Sequence, residues 1–382
     1  MLKKTFFISS GIFVFILILW LVYTFVLQET NRSTSEKQPE TPETVTVDEM
    51  LPPESHEPEN VEALFTRPVA GATLSSDESE ILLVEKETGN VYSVDPDTGE
   101  KKLILDRNVP GVIAVVWEMK GNRMMVKTSG SNGPIYWYYD LNRQEVTRLK
   151  DGIQYLVWDS LAQKIVYVYR DESGNSTVNM ADPDGKNWKE VASLLHPRMV
   201  LQVVPNSPNV SMWGKPENSK NSALESLNIA SGMKQTVFSG KNGADYLWSP
   251  SGNRVLMSWA QDPNGPKTVL SVMNSYGGEY KDLNFPSMVS KCVWQDETTV
   301  ICALPGTISG NAVMPDDYMR EKIYTKDTLW KIDVQTGKSE RAVELGDMNN
   351  SYDAVNLFLP SDNRSLFFID RKSGMLYKVG IK

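Results

Sequence analysis

Cys292 and Cys302 are the residues of this chain whose type and spacing most directly specify a chemistry. They stand five residues either side of Glu297, in the segments Lys291-Cys292-Val293-Trp294 and Ile301-Cys302-Ala303-Leu304-Pro305. With Glu297 in a hairpin turn, the two cysteines face each other at ~4.5–5.5 Å between Cα atoms, within reach of a disulfide. The alternative is a pair of reduced thiols packed as small hydrophobes. Neither reading is catalytic. Two cysteines and two histidines, His56 and His196, are too few for a four-cysteine zinc site or for extensive imidazole chemistry.

Other chemistry-bearing residues cluster in Met314-Pro315-Asp316-Asp317-Tyr318-Met319-Arg320. This stretch belongs to a long insertion, Gly306–Lys326, and long loops on a rigid scaffold are where binding residues concentrate. Asp316, Asp317, Tyr318 and Arg320 are therefore the candidate partner-contact residues, on the reading of the insertion as a lid or partner loop over one face. A packed decoration covering a sheet edge is the alternative. Asp182-Pro183-Asp184-Gly185-Lys186-Asn187 has the carboxylates of a calcium loop, but Pro183 and Lys186 break the D-x-D-x-D-G pattern. It reads as a turn. His196 precedes Pro197 in a connection between repeats and reads as a loop residue. There is no G-x-S-x-G elbow and no H-E-x-x-H pair. No catalytic residue, metal ligand or cofactor-binding residue is assigned.

The elements that hold these residues repeat. The clearest unit is Tyr246-Leu247-Trp248-Ser249-Pro250-Ser251-Gly252-Asn253-Arg254-Val255-Leu256-Met257-Ser258: a short apolar strand, a polar Pro/Gly turn and a second apolar strand. Positions equivalent to Trp248 are Leu74, Trp117, Trp158, Val204, Trp294 and Phe358, at successive gaps of 43, 41, 46, 44, 46 and 64 residues. Third strands recur in step at Val91–Asp95, Ile135–Asp140, Thr177–Ala181, Ala223–Asn228, Thr268–Asn274, Thr328–Asp333 and Met375–Val379. Turns such as Asp95-Pro96-Asp97-Thr98-Gly99 and Val334-Gln335-Thr336-Gly337 supply the positive φ that tight hairpins need. Four strands every ~40–45 residues is the period of a propeller blade, so seven anchors predict seven blades. The 64-residue gap locates the insertion in the sixth. The repeated tryptophans read as packing residues wedged between blades.

The last repeat stops at Lys382 after its third strand, while Ala63-Leu64-Phe65-Thr66-Arg67-Pro68 precedes the first anchor. If this segment supplies the missing fourth strand, the ring closes and no edge is left unpaired. The fold class expected is all-β: a seven-bladed β-propeller of four-stranded antiparallel blades, closed by an N-terminal strand and spanning 63–382.

The anchors and the Trp-Ser-Pro-Ser-Gly-Asn turn resemble the WD40-like repeats of the TolB family of propellers, over about residues 65–382. Only the fifth repeat carries a nearly full W-S-P-x-G-x motif; others drift, as in Trp117-Glu118-Met119-Lys120-Gly121-Asn122. The resemblance implies a six- or seven-bladed ring and extracytoplasmic binding. TolB's additional α/β domain has no counterpart here, so its partners are not implied. The Cys292 and Cys302 segments also look like those of membrane-anchored bacterial propellers.

Ahead of the propeller, Thr5–Gln28 holds 24 residues without a charge. At ~1.5 Å per residue a helix of that length spans about 36 Å, enough to cross a hydrocarbon core of ~30 Å. Lys3 and Lys4 precede it and acidic residues follow, so residues 1–4 are expected in the cytoplasm and the remainder outside. A cleaved signal is the competing reading, but the apolar run exceeds a 7–15-residue h-region and no A-x-A-like site follows. Residues 29–62 read as a disordered acidic Pro/Glu/Thr linker of net charge −8. Taking that −8 and the +2 of Lys3 and Lys4 from the total of −9 leaves −3 for residues 63–382. Such a balance gives no footprint for nucleic acid, whose phosphates require a basic face.

The expected function is a single-pass membrane protein whose extracytoplasmic propeller is a non-enzymatic binding or scaffold module for a protein or cell-envelope partner. The alternative is an anchored hydrolase or lactonase-like enzyme with a carboxylate or metal site at the propeller channel.

Overall fold

The computed structural model describes residues 61–382, apart from Lys120, Pro197 and residues 345–350. The expected transmembrane helix at 5–28, and the linker at 29–62 except for Val61 and Glu62, lie outside the described residues. Among the described residues no helix is long and apolar enough to cross a membrane.

Seven four-stranded antiparallel sheets follow one another along the chain as blades. Their first strands are Val69–Leu74, Val112–Trp117, Ile153–Trp158, Met199–Val203, Asp245–Trp248, Cys292–Trp294 and Ala354–Phe358. Six of the seven expected anchors end these strands, and Val204 follows its strand by one residue. Second strands have sheet neighbours on both sides and other blades over both faces, so they read as unbroken apolar runs. Ile81–Glu85 is buried at every position, as are Ile165–Val168 and Val300–Ala303. Outer strands are more exposed, as in Lys101–Leu105, and some are largely polar, as in Glu145–Arg148.

The tryptophans link successive blades, as expected from their period. Trp158 Nε1–H donates to the Val116 carbonyl (3.0 Å) and Trp294 Nε1–H to the Leu247 carbonyl (3.3 Å), each on the first strand of the preceding blade. Trp248 Nε1–H donates to Ser211 Oγ at 2.8 Å, again one blade back. These three indole N–H groups find their partners across the inter-blade seam, whereas that of Trp117 is buried without one.

Antiparallel pairing sorts the turns onto two faces. The hairpins between second and third strands lie with the inter-blade links on what we call the first face. The other hairpins lie on the second face. Turn chemistry there is local: Asp95 Oδ1 accepts the N–H groups of Asp97 and Thr98, both at 2.8 Å, and Gly99 takes a φ of 67°. The Asp182 turn is of the same kind, its carboxylate accepting from Lys164 and Asn187.

Ring closure is as the sequence predicts, with the strand starting one residue earlier, at Glu62. Glu62–Phe65 pairs antiparallel with Leu376–Gly380, setting Glu62 opposite Lys378 and Phe65 opposite Leu376. Leu64 and Phe65, each 1% exposed, pack with Ile81 and Leu83 of blade 1 and with Phe367 and Leu376 of blade 7. Just beyond, the Arg67 guanidinium lies 4.9 Å from the Phe65 ring centroid and pairs with Glu85 at 2.6 Å. Lys378 Nζ donates to the Pro96 carbonyl in a second-face hairpin (2.8 Å), so the chain arriving at Glu62 comes in on the second face.

Cys292 and Cys302 stand opposite each other in the sixth blade and are bonded, as the hairpin spacing predicts.

Phe65→Ala removes a fully buried ring from the seam between the first and last blades. Equilibrium urea unfolding should show a loss of about 3–5 kcal/mol. A loss below 1 kcal/mol would mean the closing strand is dispensable.

Candidate functional site

The first face carries the insertion. It runs from the end of strand Thr299–Pro305 to the start of strand Asp327–Asp333, the limits the repeat spacing predicts. Instead of projecting outward, it folds across neighbouring blades. Met314 N–H donates to the Gly265 carbonyl in blade 5 (2.9 Å). Asn218, buried in the corresponding hairpin of blade 4, donates through Nδ2 to the carbonyls of Met314 (2.7 Å) and Asp262 (3.1 Å). Its own N–H donates to Asp316 Oδ2 at 2.6 Å. One asparagine thus ties three hairpins together.

The four residues expected to meet a partner lie in or just after the single-turn helix Asp316–Met319. Asp316 is engaged by Asn218, and Asp317 accepts from Val313 N–H (2.9 Å) and Lys322 Nζ (2.8 Å). Tyr318 is buried and its hydroxyl donates to Asp353 Oδ1 at 2.6 Å. Arg320 is exposed, 3.5 Å from Asp316. The structure brings all four together: Asp316 and Tyr318 fasten the insertion to other blades, and Asp317 braces the insertion internally. Their neighbour Met319, which spacing did not single out, lines the pocket described below.

The fastening ends on a buried charge cluster. Lys291, with no exposed surface, donates to Asp327 Oδ2 and Asp353 Oδ1, both at 2.6 Å. Thr325 Oγ1–H also donates to Asp353 Oδ1 (3.0 Å), and Arg371 Nη1 lies 3.9 Å from Asp353 Oδ2. Burial works against ionising Asp353, but Lys291 and the hydrogen bonds from Tyr318 and Thr325 outweigh it and hold its carboxyl below the usual range. Asp327 has fewer partners; burial pushes it up, with Lys291 opposing. Desolvation dominates the upward push on the Tyr318 hydroxyl, and Asp353 adds to it.

Beside this cluster a pocket of about 600 Å³ opens on the first face. The first strands of blades 3, 4 and 5 wall it through Tyr155, Gln202 and Asp245, and Lys127 of blade 2 reaches in. Arg198, Lys215 and Met319 are also in its lining. Burial, followed by the nearby Lys215, holds the Lys127 ammonium below its usual range. Desolvation pushes the Asp245 carboxyl up to about 6, against the hydrogen bonds from Trp213 Nε1–H (2.9 Å) and Tyr246 N–H (3.2 Å). Among the described residues no group of three or more His, Cys, Asp or Glu side chains is placed to hold a metal ion. His196 is exposed and lines an adjoining groove together with Arg198 and Lys215.

Lys291, Asp353, Lys127 and Asp245 were missed by motif reasoning. One signal was present: Asp245 and Lys291 each stand three residues before an anchor tryptophan, which sets both at the first-face end of an inner strand. Lys127 and Asp353 have no such marker.

No family model matches the sequence, and no curated protein matches it. Among solved structures, oligogalacturonate lyase from Vibrio parahaemolyticus is similar over 85% of this chain and 94% of its own, with 9% identity and a TM-score of 0.60. An oligogalacturonate lyase in complex with manganese aligns over 86% of this chain and 94% of its own, with 12% identity and a TM-score of 0.59. TolB from Acinetobacter baumannii aligns over 55% of this chain, with 18% identity and a TM-score of 0.40, and the chain spans 53% of TolB's length. At these identities the likeness is one of fold. The chain is a seven-bladed propeller of the kind the TolB-like repeats imply.

Two predictions follow from the charges. Lys291→Met leaves two carboxylates buried without their ammonium and should cost about 3–5 kcal/mol in urea unfolding, part of which Asp353→Asn in the same chain should restore. No recovery would mean that the lysine acts by packing alone. Asp245 takes up its proton in the folded state before it does so unfolded, so its contribution to stability rises as pH falls from 7 through 6 towards 4. Asp245→Asn should therefore be more stable than wild type at pH 7.5, by on the order of 1–2 kcal/mol, with the difference gone below about pH 4. Parallel pH-stability curves would show that Asp245 is not desolvated.

Proposed function

We propose that the chain is a membrane-tethered, extracytoplasmic binding module: residues 5–28 anchor it, 29–62 space it from the bilayer, and the propeller takes a protein or cell-envelope partner on its first face. The pocket carries this reading. It is concave, walled by strands of a rigid ring, and lined by three cations against one carboxylate, Asp245. Catalysis by paired carboxylates requires a second acid near the first, and Asp245 already accepts hydrogen bonds from Trp213 and Tyr246.

Two further observations support the assignment. The Cys292–Cys302 disulfide suits an oxidising compartment outside the cytoplasm. The closing strand brings Glu62 in on the second face, and the pocket opens on the first. A disordered linker of 34 residues would span about 30–35 Å r.m.s., which would keep the propeller within reach of a partner near the membrane.

Site-specific photo-crosslinking of the full chain in its own cells tests this. A photoreactive residue at Met319, on the pocket rim, should give a discrete adduct in the membrane fraction, and one at Asp97, in a second-face hairpin, should not. An adduct from Asp97 alone would reverse the assignment of faces. Recovery of the intact chain in the soluble fraction would remove the tether.

A further inference from the structure

The pocket holds charge that the fold does not use. Lys127 extends from the second strand of blade 2 so that its ammonium lies 5.6 and 5.8 Å from the ring centroids of Tyr136 and Tyr155. Among the described residues no carboxylate forms an ion pair with Lys127 or Lys215, while Arg198 at the rim acts electrostatically on Glu217. A half-buried cation facing a second cation costs stability. Lys291, by contrast, is buried between Asp327 and Asp353.

Other polar groups in the same wall are also unmatched. The Gln202 side-chain oxygen is buried without a hydrogen-bond partner. The Tyr155 hydroxyl makes no hydrogen bond among the described residues. Val200, Leu247 and Met319 supply apolar surface beside them. The cations are not a sample of a generally basic surface, because residues 63–382 carry a net charge of −3. The volume, about 600 Å³, is that of a site for a small molecule or a single end group.

We propose that this pocket binds a carboxylate or phosphate group, seated between Lys127 and Lys215 with Arg198 at the rim, while the remainder of the ligand lies against Leu247 and Met319. The inference rests on the first face being the binding face and deepens that reading: the partner presents an anionic group to the pocket. Ammonium groups in a partly desolvated wall give charge-assisted hydrogen bonds about twice as strong as neutral ones. Gln202 and Tyr155 then meet the polar atoms next to the anion.

The test uses the full chain in detergent with pentaglutamate as the carboxylate probe, tripolyphosphate as the phosphate probe and pentaglutamine as the neutral control, followed by calorimetric titration. At least one anionic probe should bind, and which one does identifies the source of the anion; the neutral peptide should not. Lys127→Gln and Lys215→Gln should each weaken binding at least tenfold. Lys127→Gln should melt no lower than wild type, since it removes an unpaired half-buried charge. Failure of both anions to bind, or equal binding by the variants, overturns the proposal. The Met319 cross-link separates the two readings: if it persists undiminished in Lys127→Gln, the anion assignment fails and the binding face stands. If it is absent in wild type, the binding face fails with it.

Discussion

Closure of the ring is the constraint on which the remaining structure depends. A blade of four twisted strands buries its second strand only when another blade covers each face, and every blade relies on the next for that cover. The fourth strand of blade 7 is Glu62–Phe65, so the covering of blades 7 and 1 falls to four residues supplied from the other end of the propeller. Leu64 and Phe65 are buried because they touch both blades. With that strand in place, the apolar runs of all seven second strands are shielded and no inner edge is left to pair with another chain.

A closed ring is rigid, and its variation is confined to the two faces. Here the first face has lost the seven-fold likeness of the blades. The insertion in blade 6 lies across blades 4, 5 and 7 and is fastened by Asn218 and by the Lys291, Asp327 and Asp353 cluster. A buried ion pair is a poor source of stability by itself, but a specific one discourages other arrangements of the segment that carries it. Lys291 belongs to the link into blade 6 and Asp353 to the link into blade 7, so the cluster sets where the insertion sits and leaves the pocket open to one side of it.

The two groups of buried or half-buried charge on this face differ in kind. Lys291 is surrounded by acceptors, and its neighbours Tyr318 and Thr325 complete the set. Lys127 has two aromatic rings and no acceptor. The first arrangement is what folding alone demands of a charged group in the interior. The second retains an unfavourable group in a concave wall, and that contrast is the physical basis for assigning recognition to the pocket.

The sequence by itself determined the number of blades, the strand that closes them, the limits of the insertion and the opposed placement of the two cysteines. Each follows from relations inside one repeat or at the chain ends: the alternation of strands, the residues a hairpin turn requires, and the equal distance of Cys292 and Cys302 from Glu297. The tertiary structure alone decided which charges meet. Lys291 lies 36 residues from Asp327 and 62 from Asp353, and Lys127 approaches Lys215 from two blades away. Such pairings depend on how successive sheets are rotated about the channel and on where the insertion comes to rest. Tyr318 shows the difference: its place in a long polar loop fitted either a partner contact or a packed decoration, and the geometry of blades 6 and 7 turned it inward to Asp353. A spacing along the chain records which residues share a strand, and only the packed ring records which strands share a wall.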